Sequence, residues 1–194
     1  MKIFFKDRKR GIRMKKLAIA TMACGVLFTT ACSNKTEEAP KVEQTVEEKT
    51  VSIEEIGTSI KEAVIKFFND PEFQLVEGRV PGWDELDVQD ELALGMYPMF
   101  ADLDIEGTLY VPMMNVKSDL VAVVKAKDGN VDAVKTAFEQ LKADQEATWS
   151  TYLPDQYEKV KANKIIVEGD YVLYVTFDDT SVVEEAFLNT IAGK

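Results

Sequence analysis

Histidine and cysteine, two residue types that often carry catalytic chemistry, are absent or rare in this chain. Its 194 residues include no histidine and only two cysteines, Cys24 and Cys32. Without histidine the chain lacks the usual general base near neutral pH, and catalysis by a Ser-His-Asp or Cys-His constellation is excluded. Both cysteines precede residue 33, so the rest of the chain forms neither a disulfide nor a thiolate zinc site. We therefore expect no cofactor and no bound metal ion.

Cys32 is the residue whose surroundings indicate a definite modification. Residues 17–31 form an uncharged, mostly apolar run after Lys15 and Lys16, and Ala31 directly precedes the cysteine. A helix of this length rises only about 22 Å, less than the ~30 Å bilayer core, so the run fits a cleaved signal better than a membrane span. The pattern resembles the bacterial lipoprotein signal, which implies cleavage before Cys32 and acylation of its thiol.

Two alternatives for this segment remain open. The lipoprotein signal usually has leucine three residues before the cysteine, where this chain has Thr29, and a plain secretory signal with an incidental cysteine is the other interpretation. Met14, followed by two lysines, is a well-formed signal start, so translation begins at Met1 or at Met14. In either case residues 1–31 are predicted to be a signal peptide.

Residues 32–50 are predicted to form a flexible acidic tether. They are polar, rich in glutamate and without an aromatic residue, so they bury too little apolar area to offset the entropy of ordering them. Two or three acyl chains on Cys32, as the resemblance implies, attach a protein lastingly to a bilayer. We therefore expect an exported, lipid-anchored protein on the extracellular side of the cell membrane.

The net charge narrows the classes of partner. After residue 31 the chain has 33 acidic and 15 basic residues, a net charge of −18. Such a surface repels nucleic acid phosphates and does not dock on anionic lipid headgroups. We expect no nucleic acid partner. The expected partners are the bilayer, through acylated Cys32, and an envelope protein or a small ligand.

Residues 51–194 are predicted to form a single globular domain that begins and ends with helices. Ser52 and Glu55 have the spacing of a capping box at the start of the first helix. Residues 84–97 are predicted to form a second helix and residues 131–147 a third. Ser181 is predicted to cap the last one.

Strands are predicted between these helices. Residues 119–126 are apolar on both faces, as in a buried strand, whereas Pro112 limits residues 109–116 to an edge strand. Residues 164–168 and 171–177 flank a two-residue turn and predict a hairpin. The order of elements predicts an α+β fold with a roughly four-stranded antiparallel sheet and helices packed mainly on one face.

Several short stretches together resemble a known family. They are residues 112–116 (PMMNV), 120–126, 125–129 (KAKDG), 152–154 (YLP), 164–166 (KII) and 169–172 (GDYV). In order and spacing, over residues 84–178, they resemble a family of small lipoproteins from Gram-positive, clostridia-like bacteria, domain-of-unknown-function family 4358. Gly107 departs from the pattern, which implies uninterrupted helix there. The resemblance implies a localisation and a fold but no activity.

Three aromatic residues are weak candidates for a ligand groove or a partner surface, namely Trp83, Trp149 and Tyr152. Packing in the core is the alternative for all three. Met113 and Met114 are soft metal ligands in principle, but neighbouring residues of a strand point in opposite directions and do not chelate together. We therefore predict that both methionines pack in the core.

Carboxylates are the remaining candidates for catalysis. Glycoside cleavage needs two of them about 5–10 Å apart in a cleft, and nothing in the sequence singles out such a pair. The acidic turn residues lack the offsets of a calcium loop. We therefore predict a non-enzymatic binding or accessory domain at the cell surface, with a carboxylate-dependent cell-envelope hydrolase as the alternative.

Overall fold

A computed structural model describes residues 50–194 of the chain. The predicted signal peptide, Cys32 and all of the predicted tether but its last residue lie outside the described residues. Within residues 50–194, no helix is both long enough and apolar enough to cross a bilayer.

A five-stranded antiparallel sheet forms the centre of the domain. The strands are β1 (Trp83–Asp87), β2 (Ile105–Pro112), β3 (Leu120–Ala126), β4 (Lys164–Glu168) and β5 (Tyr171–Thr176). Their order across the sheet is β1-β2-β3-β5-β4, and every neighbouring pair is antiparallel. The predicted α+β class and antiparallel sheet are confirmed, with one strand more than predicted.

Helices surround the sheet. They are α1 (Ile53–Phe68), α2 (Glu91–Met96), α3 (Val131–Trp149), α4 (Pro154–Lys161) and α5 (Thr180–Ile191), with a short 3-10 helix at Pro98–Phe100. The prediction that they lie mainly on one face is wrong. Ala122 and Val124 of β3 belong to a core that α3 covers, and Val121 and Val123 belong to a second core beneath α1 and α5. A strand that is apolar on both faces needs cover on both.

The segment predicted as the second helix divides into a strand and a short helix. Trp83–Asp87 pairs with β2 at the edge of the sheet, and only Glu91–Met96 is helical. The Asp87 carboxylate accepts a hydrogen bond of 2.8 Å from the Gln89 N–H, which turns the chain between them. Because β1 takes the edge, β2 is an internal strand, and the prediction of an edge strand there is wrong. Its Pro112 is tolerated because it is the last residue of the strand.

Gly107 lies in β2 and not in a helix. A Cβ atom at this position would approach the carbonyl oxygen of Val123 on β3 to 2.4 Å. The close contact of the two backbones explains why a glycine stands in the strand.

One of the two predicted serine caps is confirmed and the other is wrong. Ser52 Oγ accepts from the Glu55 N–H at 3.1 Å, as predicted. Ser181 does not cap α5, because that helix begins at Thr180 and the Asp179 carboxylate accepts from the Ser181 N–H at 3.0 Å. α4 was not predicted; its Pro154 occupies the first helical position, which proline favours.

Candidate functional site

An open groove lies on the α3 face of the sheet. α3 packs over β3 and β5, and α2 packs beside β1, so the part of the sheet between these helices has no helix above it. The groove there has a volume of about 500 Å³. Leu86, Val111 and Leu120, one from each of three neighbouring strands, line it from the sheet.

The walls of the groove come from three separate parts of the chain. Leu92 and Met96 of α2 line one side. They are four residues apart, so they share one face of the helix. Met113 and Met114, from the loop between β2 and β3, line the groove as well. The opposite side is formed by the end of α3 and the turn that follows it.

These wall residues are unusually exposed for their type. Leu92, Met96, Met113, Met114 and Tyr152 are between 52% and 66% exposed. The prediction that the two adjacent methionines pack in the core is wrong: β2 ends at Pro112, so they belong to a loop and not to a strand. A cluster of exposed apolar side chains of this kind marks an interaction site more often than a neutral surface.

Two of the three aromatic candidates meet in the groove. Trp149 and Tyr152 both line it, with their ring centroids 5.7 Å apart. Trp149 is buried, and its indole N–H donates to Gln145 Oε1 at 2.9 Å, which holds the ring in place. Trp83 lies elsewhere: it belongs to the core under α1 and packs edge-on against Phe177.

A buried polar cluster fixes the loop at one end of the groove. Ser118 donates its backbone N–H to Gln156 Oε1 at 2.9 Å and its hydroxyl to the Gln156 carbonyl at 3.1 Å. Lys159 Nζ lies 2.7 Å from Asp119 Oδ1 and 2.6 Å from Asp178 Oδ1. These bonds tie the end of the β2–β3 loop to α4, so the methionines are presented from a loop that is anchored at its far end.

Burial and hydrogen bonding together set the ionisation of this cluster. Burial raises the pKa of the Asp119 carboxyl above its ordinary value, although the hydrogen bond from Lys159 opposes the rise. Burial by itself lowers the pKa of Lys159, but the hydrogen bonds to Asp119 and Asp178 outweigh it and raise that pKa. The lysine charge is thus matched by one buried carboxylate, Asp119, and one half-exposed carboxylate, Asp178.

Polar groups suited to catalysis are sparse in the groove. Asp84 and Asp119 are the two carboxylates among its lining residues. Asp119 is buried and bonded to Lys159, whereas Asp84 is exposed. Within residues 50–194, no group of three or more acidic side chains is placed to hold a metal ion.

A second depression lies at the end of α1 and differs in character. It has a volume of about 520 Å³ and is lined by mainly polar residues such as Glu62, Lys66 and Gln74. Its apolar members, Ile65 and Leu75, are half-buried in the core. It contains none of the sequence-predicted candidates, so the groove on the α3 face is the stronger candidate site.

Sequence reasoning missed Leu92, Met96 and the methionine pair as site residues. One signal was present, because α2 and the residue after it are apolar on two sides. Ala93 and Tyr97 are buried against the core, whereas Leu92 and Met96 are exposed on the other side. A six-residue helix that packs on a core needs only one apolar side.

Comparison with known proteins finds one family model that matches part of the chain. No curated protein and no solved structure matches the chain. Residues 95–177 match the family model described as a domain of unknown function, DUF4358. That segment runs from the last turn of α2 through β5 and holds Met96, both loop methionines, Trp149 and Tyr152. Residues 95–177 are therefore identified as a DUF4358 domain.

Proposed function

We propose that this chain is an exported lipoprotein, anchored through acylated Cys32, whose domain binds a partner in the groove on the α3 face. Its role is that of a non-enzymatic binding or accessory protein at the surface of a Gram-positive cell. The Gram-positive setting and the lipid anchor rest on the sequence resemblances.

The clustering of exposed apolar side chains is the observation that carries the binding role. Nine large apolar side chains of the described residues are exposed, and five of them line this one groove. Burial of such side chains would stabilise the protein by roughly 25 cal/mol for each Å² of apolar surface removed from water. Single exposed residues need no explanation, but a group of five in a concave surface supports a binding site.

The anchor is tested by metabolic labelling. Cells expressing the full chain are fed an alkyne analogue of palmitate, and the protein is purified and conjugated to a dye. The wild type and the Cys24→Ser variant carry the label, whereas Cys32→Ser does not. Cys24 is the matched control because it lies in the predicted leader. Label that persists in Cys32→Ser, or an unlabelled wild type, contradicts the anchor.

The groove is tested by photocrosslinking on intact cells. A photoreactive amino acid replaces Leu92 in one variant and Val76 in the other; both native residues are 62% exposed, and only Leu92 lines the groove. We expect a discrete crosslinked species from position 92 that is absent from position 76. The same capture pattern from both positions contradicts a binding role for the groove.

The alternative is a cell-envelope hydrolase that works with carboxylates alone. Asp84 and Asp119, the two carboxylates among the lining residues of the groove, would have to supply its catalytic pair. Asp119 is held by Lys159 and is buried, which favours a structural role for this carboxylate and hence the binding proposal. Release of sugar or peptide fragments from purified cell wall, abolished by Asp84→Asn, supports the hydrolase instead.

A further inference from the structure

We propose that the groove accepts an amphipathic helix of another extracytoplasmic protein, with an apolar stripe flanked by lysine and arginine. This inference rests on the binding role proposed above and specifies the chemistry of the partner. Shape, charge and the position of the groove each contribute to it.

The shape of the groove suits a helix. It lies over the face of the sheet, between α2 and the end of α3, so its occupant meets side chains rather than free backbone groups of a strand edge. A helix placed between two others presents anchors at every third or fourth residue to such a surface. The methionines that line the groove allow it to fit partners of different shape, because the methionine side chain is unbranched and flexible.

The acidic residues around the groove favour a basic partner. Residues 80–116, which include the α2 wall of the groove, contain eight acidic residues and no basic one; two of these acids are paired away from the groove, Glu85 with Lys61 and Asp104 with Lys127. Asp84 lines the groove itself, and Glu91 lies in the first turn of α2. Lys117 also lines the groove, and Lys159 is matched by its two carboxylates. Complementary charge accelerates association with a cationic partner and disfavours an anionic one.

The groove lies far from the point where the chain enters the fold. The chain enters the fold at Val51, whose carbonyl accepts a hydrogen bond from the Tyr171 hydroxyl on the α1 face. Tyr171 pairs with Lys125 near one end of β3, whereas Leu120, in the groove, lies at the other end and on the other face. Five strand residues separate these ends by about 17 Å. The chain thus enters the fold on the other face of the sheet and at the other end, and its first described residues leave the groove uncovered.

A second copy of the domain is also disfavoured. Residues 50–194 contain 28 acidic and 12 basic residues, a net charge of −16. Two such surfaces repel each other at low ionic strength, and anionic lipid headgroups are repelled in the same way.

The test uses the full chain reconstituted in phosphatidylcholine nanodiscs, with empty nanodiscs as the blank. The probe is a fluorescent amphipathic peptide of leucine and lysine, about 18 residues or five turns long. A peptide with the same leucine pattern and glutamate for lysine is the matched control. We expect the leucine–lysine peptide to bind at least about tenfold more tightly than the glutamate peptide, and to bind more weakly as salt rises.

Variants locate the binding. Leu92→Ser removes an apolar anchor and weakens binding about tenfold, while Val76→Ser, with the same exposure outside the groove, leaves it unchanged. Met114→Ser is a second groove variant, with a side chain 66% exposed. Asp84→Asn weakens binding about two- to threefold. Asp132→Asn does not, because Asp132 lies in the first turn of α3, about 25 Å along the helix from Trp149.

Three results overturn the proposal. Equal or tighter binding of the glutamate peptide contradicts the basic partner, and peptide binding that Leu92→Ser and Met114→Ser leave unchanged contradicts its location. A dimer in sedimentation that Leu92→Ser dissociates identifies a second copy as the occupant. In all three cases crosslinking from position 92 still reports on the binding role itself, so the failure of this inference is distinguishable from failure of the proposed function.

Discussion

At the scale of single residues, the ion pairs of Lys159 stabilise the fold next to the groove. Its amine contacts Asp119 and Asp178 at 2.7 and 2.6 Å, and the Asp119 side chain is only 3% exposed. Removal of one partner from a buried pair leaves the other charge without compensation, which costs more than the pair contributed. The cluster thus acts on stability, and through the β2–β3 loop on the shape of the groove.

We predict that Lys159→Met lowers the free energy of unfolding by about 3 kcal/mol. Chemical denaturation monitored by circular dichroism measures the loss. Lys161→Met is the control on the same helix: its exposed pair with Glu158 contributes little, so the unfolding free energy stays nearly unchanged. Equal effects of the two variants contradict a buried role for Lys159.

The same cluster predicts a difference in alkaline stability. The pKa of Lys159 is raised in the folded state, so its stabilising charge is fully present below the unfolded-state pKa of about 10.4 and is lost as pH rises through the folded-state value. The difference in unfolding free energy between wild type and Lys159→Met should stay constant from neutral pH to about pH 10 and narrow above it. Narrowing already between about pH 7 and pH 9 contradicts the raised pKa.

At the scale of elements, the close approach of α1 to the sheet depends on a glycine. Gly57 lies in the buried face of α1, opposite Tyr110 of β2. A Cβ atom at Gly57 would lie 2.0 Å from the Tyr110 hydroxyl oxygen. Tyr110 is itself buried, so it has little room to move. The glycine is therefore required by packing, although glycine weakens a helix interior.

We predict opposite outcomes for two glycine substitutions in helices. Gly57→Ala overpacks the contact with Tyr110 and destabilises the fold by about 1–3 kcal/mol. Gly95→Ala in α2, where nothing lies within 4 Å of the added carbon, leaves stability unchanged or raises it by up to about 1 kcal/mol. Thermal unfolding measures the stability of both variants relative to the wild type. A Gly57→Ala variant as stable as the wild type contradicts the close contact between α1 and Tyr110.

At the scale of the whole molecule, the segment that matches the family model lacks the helices that cover one face of the sheet. Residues 95–177 include β2 to β5 with α3 and α4, but neither α1 nor α5. Those two helices cover the second core, which includes Val121, Val123 and Leu173 of the central strands. Without them one face of the sheet is exposed to water.

We predict that the fragment 50–194 unfolds cooperatively, whereas the fragment 95–177 does not. The shorter fragment should bind the dye ANS and aggregate, because the sheet face normally under α1 and α5 is uncovered. Calorimetry and light scattering of the two fragments provide the measurement. A soluble, cooperatively folding 95–177 fragment contradicts the two-faced architecture.

Local patterns were enough to predict much of this domain. The first helix with its serine cap, the third helix and the β4–β5 hairpin all match the structure. Caps, turns and helical periodicity act among residues a few positions apart, so local sequence is enough to predict them. The absence of histidine from the sequence was enough to exclude catalysis by a Ser-His-Asp or Cys-His constellation. Trp149 and Tyr152, three residues apart, were candidates from their residue types, and both line the groove.

Contacts between segments distant in sequence decided the first strand and the groove, which local patterns did not predict. Whether residues 83–87 become helix or strand depends on β2 about twenty residues later, whose free edge recruits them. The same pairing places α2 beside the sheet, so Leu92 meets Met114 and Trp149 around one groove although nothing in their spacing relates them. Burial depends on which segments come together in three dimensions, and so the apolar groove, unlike the helices that border it, emerged only from the tertiary fold.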